Sequence, residues 1–203
     1  MPTRVDHEER RRTIAEALLR IADAQGLQAA SMRAVAAEAG VSLRLVQYYF
    51  HTKQALLLDA LERLGAQIQG RMLSWIQAAG PSPSPRAVVT AVLGCILPTD
   101  DESRRIARTY TAYYTLLLND PDLPAHHATA HPAGLESFLA KQIHSARRSG
   151  QVPAGTDPEM AAAGLLAMVN GLGQSVLAGQ RTGADAQTVL THHLDRLFGP
   201  AAD

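Results

Sequence analysis

Arg44 and Gln47 lie three residues apart in the stretch S-L-R-L-V-Q-Y-Y-F-H-T-K, residues 42–53. A guanidinium can bond guanine O6 and N7 together, and a carboxamide can do the same to adenine N6 and N7. Leu43, next to them, matches a thymine methyl. Tyr48, Tyr49, His51, Thr52 and Lys53 add hydroxyl, imidazole and ammonium groups, which suit phosphate oxygens. With Ser42, and with Ser31 and Arg33 a little upstream, these residues form a candidate set for contacting duplex DNA.

The elements that must position this set can be read from the surrounding spacing. Ser31 is a suitable N-cap, and Met32, Val35 and Ala36 recur on one helical face. Gly40 follows Ala39 where the chain must leave that helix, and glycine accepts the left-handed conformation such an exit needs. Val41 is an apolar plug for the turn, and Ser42 caps a second helix with Leu45, Val46 and Tyr49 turned inward. Leu43, Arg44, Gln47 and Tyr48 are then left on the free face. Helix, turn of about three to four residues, helix is the helix-turn-helix arrangement, whose second helix enters the major groove. The alternative is an ordinary surface helix pair, since short helices rich in Ala, Gly and Ser are common.

Three segments together are more specific than that motif alone: R-R-T-I-A-E-A-L-L-R-I-A-D-A-Q-G-L, then A-V-A-A-E-A-G-V-S, then Y-Y-F-H-T-K-Q-A-L-L. Over the first fifty to sixty residues the sequence resembles the TetR-type bacterial transcriptional regulators. That resemblance implies a dimeric, all-helical, ligand-released repressor. It also implies that the first residues of the second helix and Gln47 face bases, while Tyr48, Tyr49 and Lys53 hold phosphates. Two positions depart from the family pattern. Many members carry Tyr where this chain has Gln47, and a small residue is frequent at Arg44, so the base preference is not transferable.

The composition fits a folded protein with a substantial core: 203 residues, 46% hydrophobic and 19% charged. Ala and Leu abound and β-branched runs are scarce, which favours helix throughout. Net charge is zero, but residues 1–53 hold eight Lys/Arg against six Asp/Glu, a surplus of +2 balanced by −2 in the rest. So weak an asymmetry implies modest nonspecific affinity, with specificity left to base contacts and to pairing of two reading heads. Cys95 is the single cysteine, which rules out an intrachain disulfide and a Cys-based metal cluster. The polar start M-P-T-R-V-D-H-E-E-R-R-R does not read as a secretory signal. The most apolar stretch, Ala161 to Ala178, is interrupted by Asn170, Gln174 and three glycines, which argues against a membrane span and for a cytoplasmic protein.

Taken in order, the punctuation predicts an all-α chain of about nine helices. A three-helix helix-turn-helix unit, residues 1–53, precedes a larger ligand-binding and dimerisation unit, residues 54–203. The first helix runs from His7 to Gln25, and Arg10, Arg11 and Arg12 at its start are either DNA-facing or a salt-bridged surface. Lys53 opens a long helix to about Ala78, a mechanical link between the two regions. Ser84-Pro85 starts a helix to Leu97, and Asp100, Asp101 and Glu102 precede one over Ser103–Leu118. Asn119–Pro124 is a break and His126, His127 and His131 sit in a Pro-rich turn, with the next helix running from Gly134 to Arg148. Asp157-Pro158-Glu159 starts a helix reaching Ala178, and Ala186–Phe198 is the last.

The last two helices resemble the family's dimer interface. Gly164, Ala167, Gly171, Ser175 and Ala178 repeat at helical spacing as a smooth stripe, and Leu190 and Leu194 are among the residues supplying apolar area. Packing within one subunit is the alternative. A two-fold dimer implies a near-palindromic operator with half-sites about 34–36 Å apart. Trp75, Tyr110, Tyr113, Tyr114, Phe138, Met168, Asn170 and Gln174 are candidates to line an apolar or aromatic effector's cavity, although each of these types is more often plain core.

Other classes fit less well. The eight histidines lack an HExxH, a Cys pair or a carboxylate cluster, and His192 and His193 are consecutive, so neither a metal nor a cofactor is expected. The sequence has no P-loop, no GxSxG elbow and no phosphate-binding glycine fingerprint, which argues against an enzyme. A helical adaptor binding only proteins would leave Arg44, Gln47 and the tyrosine pair without a purpose.

Overall fold

The computed structural model describes residues 4–119 and 126–199, with side chains at 6–119 and 133–199. Among these residues there are nine α-helices, one short 3-10 turn and no strand. The helices are α1 (Arg4–Gln25), α2 (Met32–Glu38), α3 (Leu43–Tyr49), α4 (Lys53–Ala78), α5 (Pro85–Ile96), α6 (Asp101–Asn119), α7 (His126–Arg148), α8 (Pro158–Leu177) and α9 (Gly183–Phe198). The chain divides into two compact units, residues 1–67 with 108–128 and residues 68–107 with 129–203. Helices α4, α6 and α7 therefore contribute residues to both.

In the first unit α1 packs on α2, and α2 on α3. Ile14 and Leu18 of α1, Val35 of α2, Val46 of α3, Phe50, and Leu56 of α4 are almost completely removed from solvent. Helices α2 and α3 have only seven residues each, too short to persist in water by propensity. Their ends are accordingly satisfied. The Ala34 N–H donates to Ser31 Oγ at 3.1 Å and the Leu45 N–H to Ser42 Oγ at 3.2 Å, caps worth about 1 kcal/mol each. At the exit of α2, Gly40 adopts φ 66°. There the Val41 N–H donates to the Ala36 carbonyl at 3.0 Å and the Gly40 N–H to the Ala37 carbonyl at 3.2 Å, the two bonds of a Schellman motif.

The second unit encloses a core built from α5, α7, α8 and α9. Leu93, Leu97, Leu139, Ile143, Ala162, Val169 and Leu190 are fully buried in it. Asp157 receives the Glu159 and Met160 N–H groups at 3.0 and 3.1 Å to open α8. Thr182 and Asp185 form a reciprocal capping box at the start of α9, so α9 begins at Gly183 and not at the expected Ala186. Among the described helices α8 is the one long and apolar enough to cross a membrane. Its Ala162, Leu165, Leu166, Val169, Leu172 and Val176 are, however, buried in this core, where apolar length is spent on packing.

The helix starting at Lys53 ends at Ala78 as expected. Helix α7 differs most from expectation: it starts at His126, and Pro132 lies within it. Proline there forfeits one backbone bond, but alanines at 128, 130 and 133 favour helix on both sides. The Pro-rich turn expected around His126, His127 and His131 is thus helical backbone, and the side chains of those three histidines lie outside the described residues. So do residues 120–125, most of the expected break after Asn119.

An alanine at Gly40 would meet no atom within 4 Å, so its cost is that of left-handed backbone alone, about 1–2 kcal/mol. Urea denaturation of Gly40→Ala is expected to show a lower midpoint with an unchanged slope.

Candidate DNA-reading surface

One residue anchors α3 and the others divide around it. Val46 is fully buried, Leu43, Leu45 and Tyr49 are half-buried, and Arg44, Gln47 and Tyr48 are exposed. Arg44 and Gln47, one turn apart, share the face opposite Val46. Both project from a helix whose first turn is held by the Ser42 cap, so their Cα positions are set by backbone bonds and not by their own contacts.

Phosphate-type donors collect where α3 ends. Tyr48 is 63% exposed, and its ring meets Tyr49 edge-on with centroids 5.3 Å apart. His7 of α1 completes the group, 5.2 Å from Tyr49 and 6.1 Å from Tyr48. His51 and Lys53 are exposed, and Lys53 is the first residue of α4. The adjacent Thr52 hydroxyl is already engaged, accepting the Ala55 N–H at 3.0 Å as the cap of α4. Ser31 and Arg33 are exposed at the start of α2, although the Ser31 hydroxyl is likewise in use as a cap.

Two contributors were not assigned from the sequence. His7 joins the tyrosine pair only through tertiary contact, so no local pattern reveals it. The three consecutive arginines of α1, Arg10, Arg11 and Arg12, look equivalent in sequence but differ in the fold. Arg10 is exposed, and Arg12 approaches Glu9 and Glu16 at 3.9 and 3.8 Å on its own helix. Arg11 turns inward to Asp59 at 2.6 Å and to the Tyr49 carbonyl at 3.3 Å. The basic cluster is therefore not a single DNA-facing patch.

The candidate effector residues fall in both units. Tyr110, Tyr113 and Tyr114 belong to the first, and Trp75, Phe138, Met168, Asn170 and Gln174 to the second. Tyr113 is 1% exposed, and its hydroxyl has no hydrogen-bond partner among the described residues. Burial pushes that hydroxyl well above the ordinary phenol range. Tyr110 is raised by burial and then by neighbouring Tyr114, which is itself exposed. The Arg71 guanidinium lies 5.6 Å from the Trp75 ring centroid. Arg71 also bonds the carboxylates of Asp100, at 2.6 Å, and Glu102. Met168 is half-buried against the core of the second unit. Phe138 is at the margin of exposure, while Asn170 and Gln174 are exposed on α8, on the side that carries Gly164, Ala167 and Gly171.

The interface candidates divide in the same way. Gly164 and Gly171 are exposed and Ser175 is half-buried. Leu190 and Leu194 are 0% and 1% exposed within the protomer. This corrects their expected place on an external face: α9 turns those leucines onto α5 and α8, so their area is already buried. Cys95 is buried, and burial pushes its thiol up. His192 and His193 are exposed with ring centroids 5.5 Å apart, and among the described residues no three metal-ligating side chains converge.

A capped two-turn helix with a buried valine on one side, arginine and glutamine on the other, and a second short helix packed behind it is the architecture of a helix-turn-helix DNA-binding regulator. The comparisons agree. Residues 14–60 match the model of the bacterial regulatory proteins of the tetR family, and residues 85–199 match that of the BetI-type transcriptional repressor C-terminal domain. The chain is 30% identical over 172 residues to the HTH-type transcriptional regulator PksA of Bacillus subtilis, covering 85% of this chain and 80% of that protein. It is 26% identical over 205 residues to the HTH-type transcriptional regulator BetI of Burkholderia mallei, covering 98% and 99% of the two. A transcriptional regulator from Saccharomonospora viridis, solved in complex with choline, has the same fold, with TM-score 0.82, 22% identity, and 93% and 96% of the two chains covered. The chain belongs to the TetR family and is a DNA-binding transcriptional regulator.

Arg44→Ala and Gln47→Ala are each expected to weaken binding to the preferred site by about 1–3 kcal/mol if the contact is bidentate, and to relax preference at one base position. Footprinting with competitor DNA measures both. An unchanged site and preference in both variants would remove α3 as the reading element.

Proposed function

We propose that this chain is a cytoplasmic repressor that binds a near-palindromic operator as a homodimer and leaves it when a small apolar or aromatic molecule enters the larger region. The observation that carries the DNA half is the exposure of Arg44 and Gln47 opposite the buried Val46. In this reading residues 1–53 contact DNA. Arg44, Gln47 and Leu43 meet bases, and Tyr48, Tyr49, His51, Lys53, Ser31, Arg33 and Ser42 hold the backbone. Residues 54–203 bind the effector and the second subunit. No catalytic role is assigned to any residue.

The effector half draws support from Tyr113. A buried hydroxyl without a partner costs about 1–3 kcal/mol, and a ligand bearing a hydrogen-bonding group would recover it. The choline held by the Saccharomonospora regulator is a precedent for a small ligand in this fold, and Tyr110 and Tyr114, of the same unit as Tyr113, are the aromatic residues we assign to the same task. Release then follows by population shift: the effector favours a conformer whose two recognition helices no longer match one turn of DNA.

The dimer reading is supported by the exposed small residues of α8. At Gly164, Ala167 and Gly171 another helix can approach closely, and Leu190 and Leu194 act behind this surface as protomer core.

Two outcomes are expected. Tyr113→Phe leaves the effector-free protein as stable or more stable in thermal melting, and weakens effector-driven release of a labelled operator. Full retention of the effector response would exclude Tyr113 from the ligand's contacts, and operator affinity that never changes with a bound effector would end the release mechanism. A Cβ added at exposed Gly171 meets no atom within 4 Å inside the protomer, so the melting temperature of Gly171→Glu should hold while sedimentation shows monomers and operator binding falls. A dimer unaffected by that charge would refute the α8 interface.

A further inference from the structure

We propose that Arg11 sets the angle at which α3 is presented to DNA, as a positioning residue and not as one of the cations that touch the duplex. This rests on the reading of α3 given above. Arg11 joins three segments of the first unit. One guanidinium nitrogen donates to the carbonyl of Tyr49, the last residue of α3, at 3.3 Å, and the other donates to Asp59 Oδ1 of α4 at 2.6 Å. The guanidinium carbon between them lies 4.6 Å from the centroid of the Phe50 ring, which is buried immediately after α3.

Asp59 is held from both sides. Its second oxygen accepts from Arg63 Nε at 2.7 Å, and Arg63 reaches back to Glu8 of α1 at 2.6 Å. Glu8, Arg63, Asp59 and Arg11 thus form a chain of alternating sign that links α1 to α4 and ends on the C-terminal carbonyl of α3. A cation is favoured at that end, where the helix carbonyls have no partner of their own.

The geometry explains why this end needs a tether. The first turn of α3 is fixed by the Ser42 cap and by the short turn from α2, whereas Val46 is its one fully buried residue. A helix of seven residues is about 10 Å long, so a tilt of roughly 10° displaces its far end by about 2 Å. A bidentate base contact works only within about half an ångström of its heavy-atom spacing. Holding Tyr49 and Phe50 against α1 and α4 suppresses that tilt. Neighbouring Arg10 and Arg12 make none of these bonds.

The test uses the full chain and a duplex carrying its footprinted site, with dissociation constants for that site and for an unrelated duplex measured over a range of salt. Arg11→Ala and Asp59→Asn are each expected to lose about tenfold in site affinity, while binding to the unrelated duplex stays within about twofold and the salt slope is unchanged. Arg11→Lys should not rescue, because a compact ammonium lacks the rigid planar fork that bonds the Tyr49 carbonyl and Asp59 together. Asp59→Asn decides most. Removing a negative charge should tighten binding if charge alone matters, and should loosen it at the specific site if aim matters.

The proposal is overturned if Arg11→Ala weakens both duplexes in parallel with a salt slope smaller by about 0.9 and Arg11→Lys restores it, the signature of a phosphate contact. It is equally overturned if Asp59→Asn leaves site affinity unchanged or raises it, a result available even where Arg11→Ala melts too low to assay. Arg44→Ala and Gln47→Ala, run alongside, separate the levels. Unchanged preference in those two defeats the reading of α3, whereas lost preference there with wild-type behaviour in the Arg11 and Asp59 variants defeats this proposal alone.

Discussion

A helix of two turns is not stable in water, because the cost of nucleating it exceeds what a handful of backbone bonds return. Recognition helix α3 is such a helix, and the organisation of the first unit follows from the need to hold it. Ser42 closes its first turn, Val46 buries its middle, and Phe50 buries the residue at which it stops. None of these residues uses the face that carries Arg44 and Gln47. The reading face is therefore free of structural duty, so its residues can vary in identity without unfolding the helix beneath them.

The ends of the short elements are tied by polar bonds and their middles by burial. Ser31, Ser42 and Thr52 cap three successive helices with hydroxyls, and Gly40 supplies the one left-handed residue the turn requires. Charged side chains then join elements far apart in sequence, as Arg20 does with Glu38 at 2.7 Å and Arg63 does with Glu8. Ion pairs this exposed contribute little stability. Their value lies in direction, since a guanidinium bonded at two points fixes relative orientation better than an apolar contact of the same area.

In the second unit apolar packing dominates. Helices α5, α8 and α9 meet through Val, Leu and Ala, and the inner side of α8 is spent there. Its outer side keeps small residues, with Gly164 and Gly171 exposed and nothing to fill the space beside them. Leu190 and Leu194 show how a sequence pattern misleads about direction: leucines at helical spacing identify a buried face, but not whether the partner is the same chain or another.

Much of this was legible in the chain itself. The Ser31, Ser42, Ser84 and Asp157 caps, the glycine exit at Gly40, the extent of α4, and the exposure of Arg44 and Gln47 opposite Val46 all depend on residues within a turn or two of one another. Local steric and hydrogen-bonding rules determine such features before the rest of the chain is placed. The tertiary structure alone decided what depends on distant segments. It separated Arg11 from Arg10 and Arg12, brought His7 to the tyrosine pair, turned Leu190 and Leu194 inward, and left the Tyr113 hydroxyl without a partner among the described residues. The physical reason is that a partner beyond the local helical repeat is selected by packing, and packing leaves no periodic signature in the sequence.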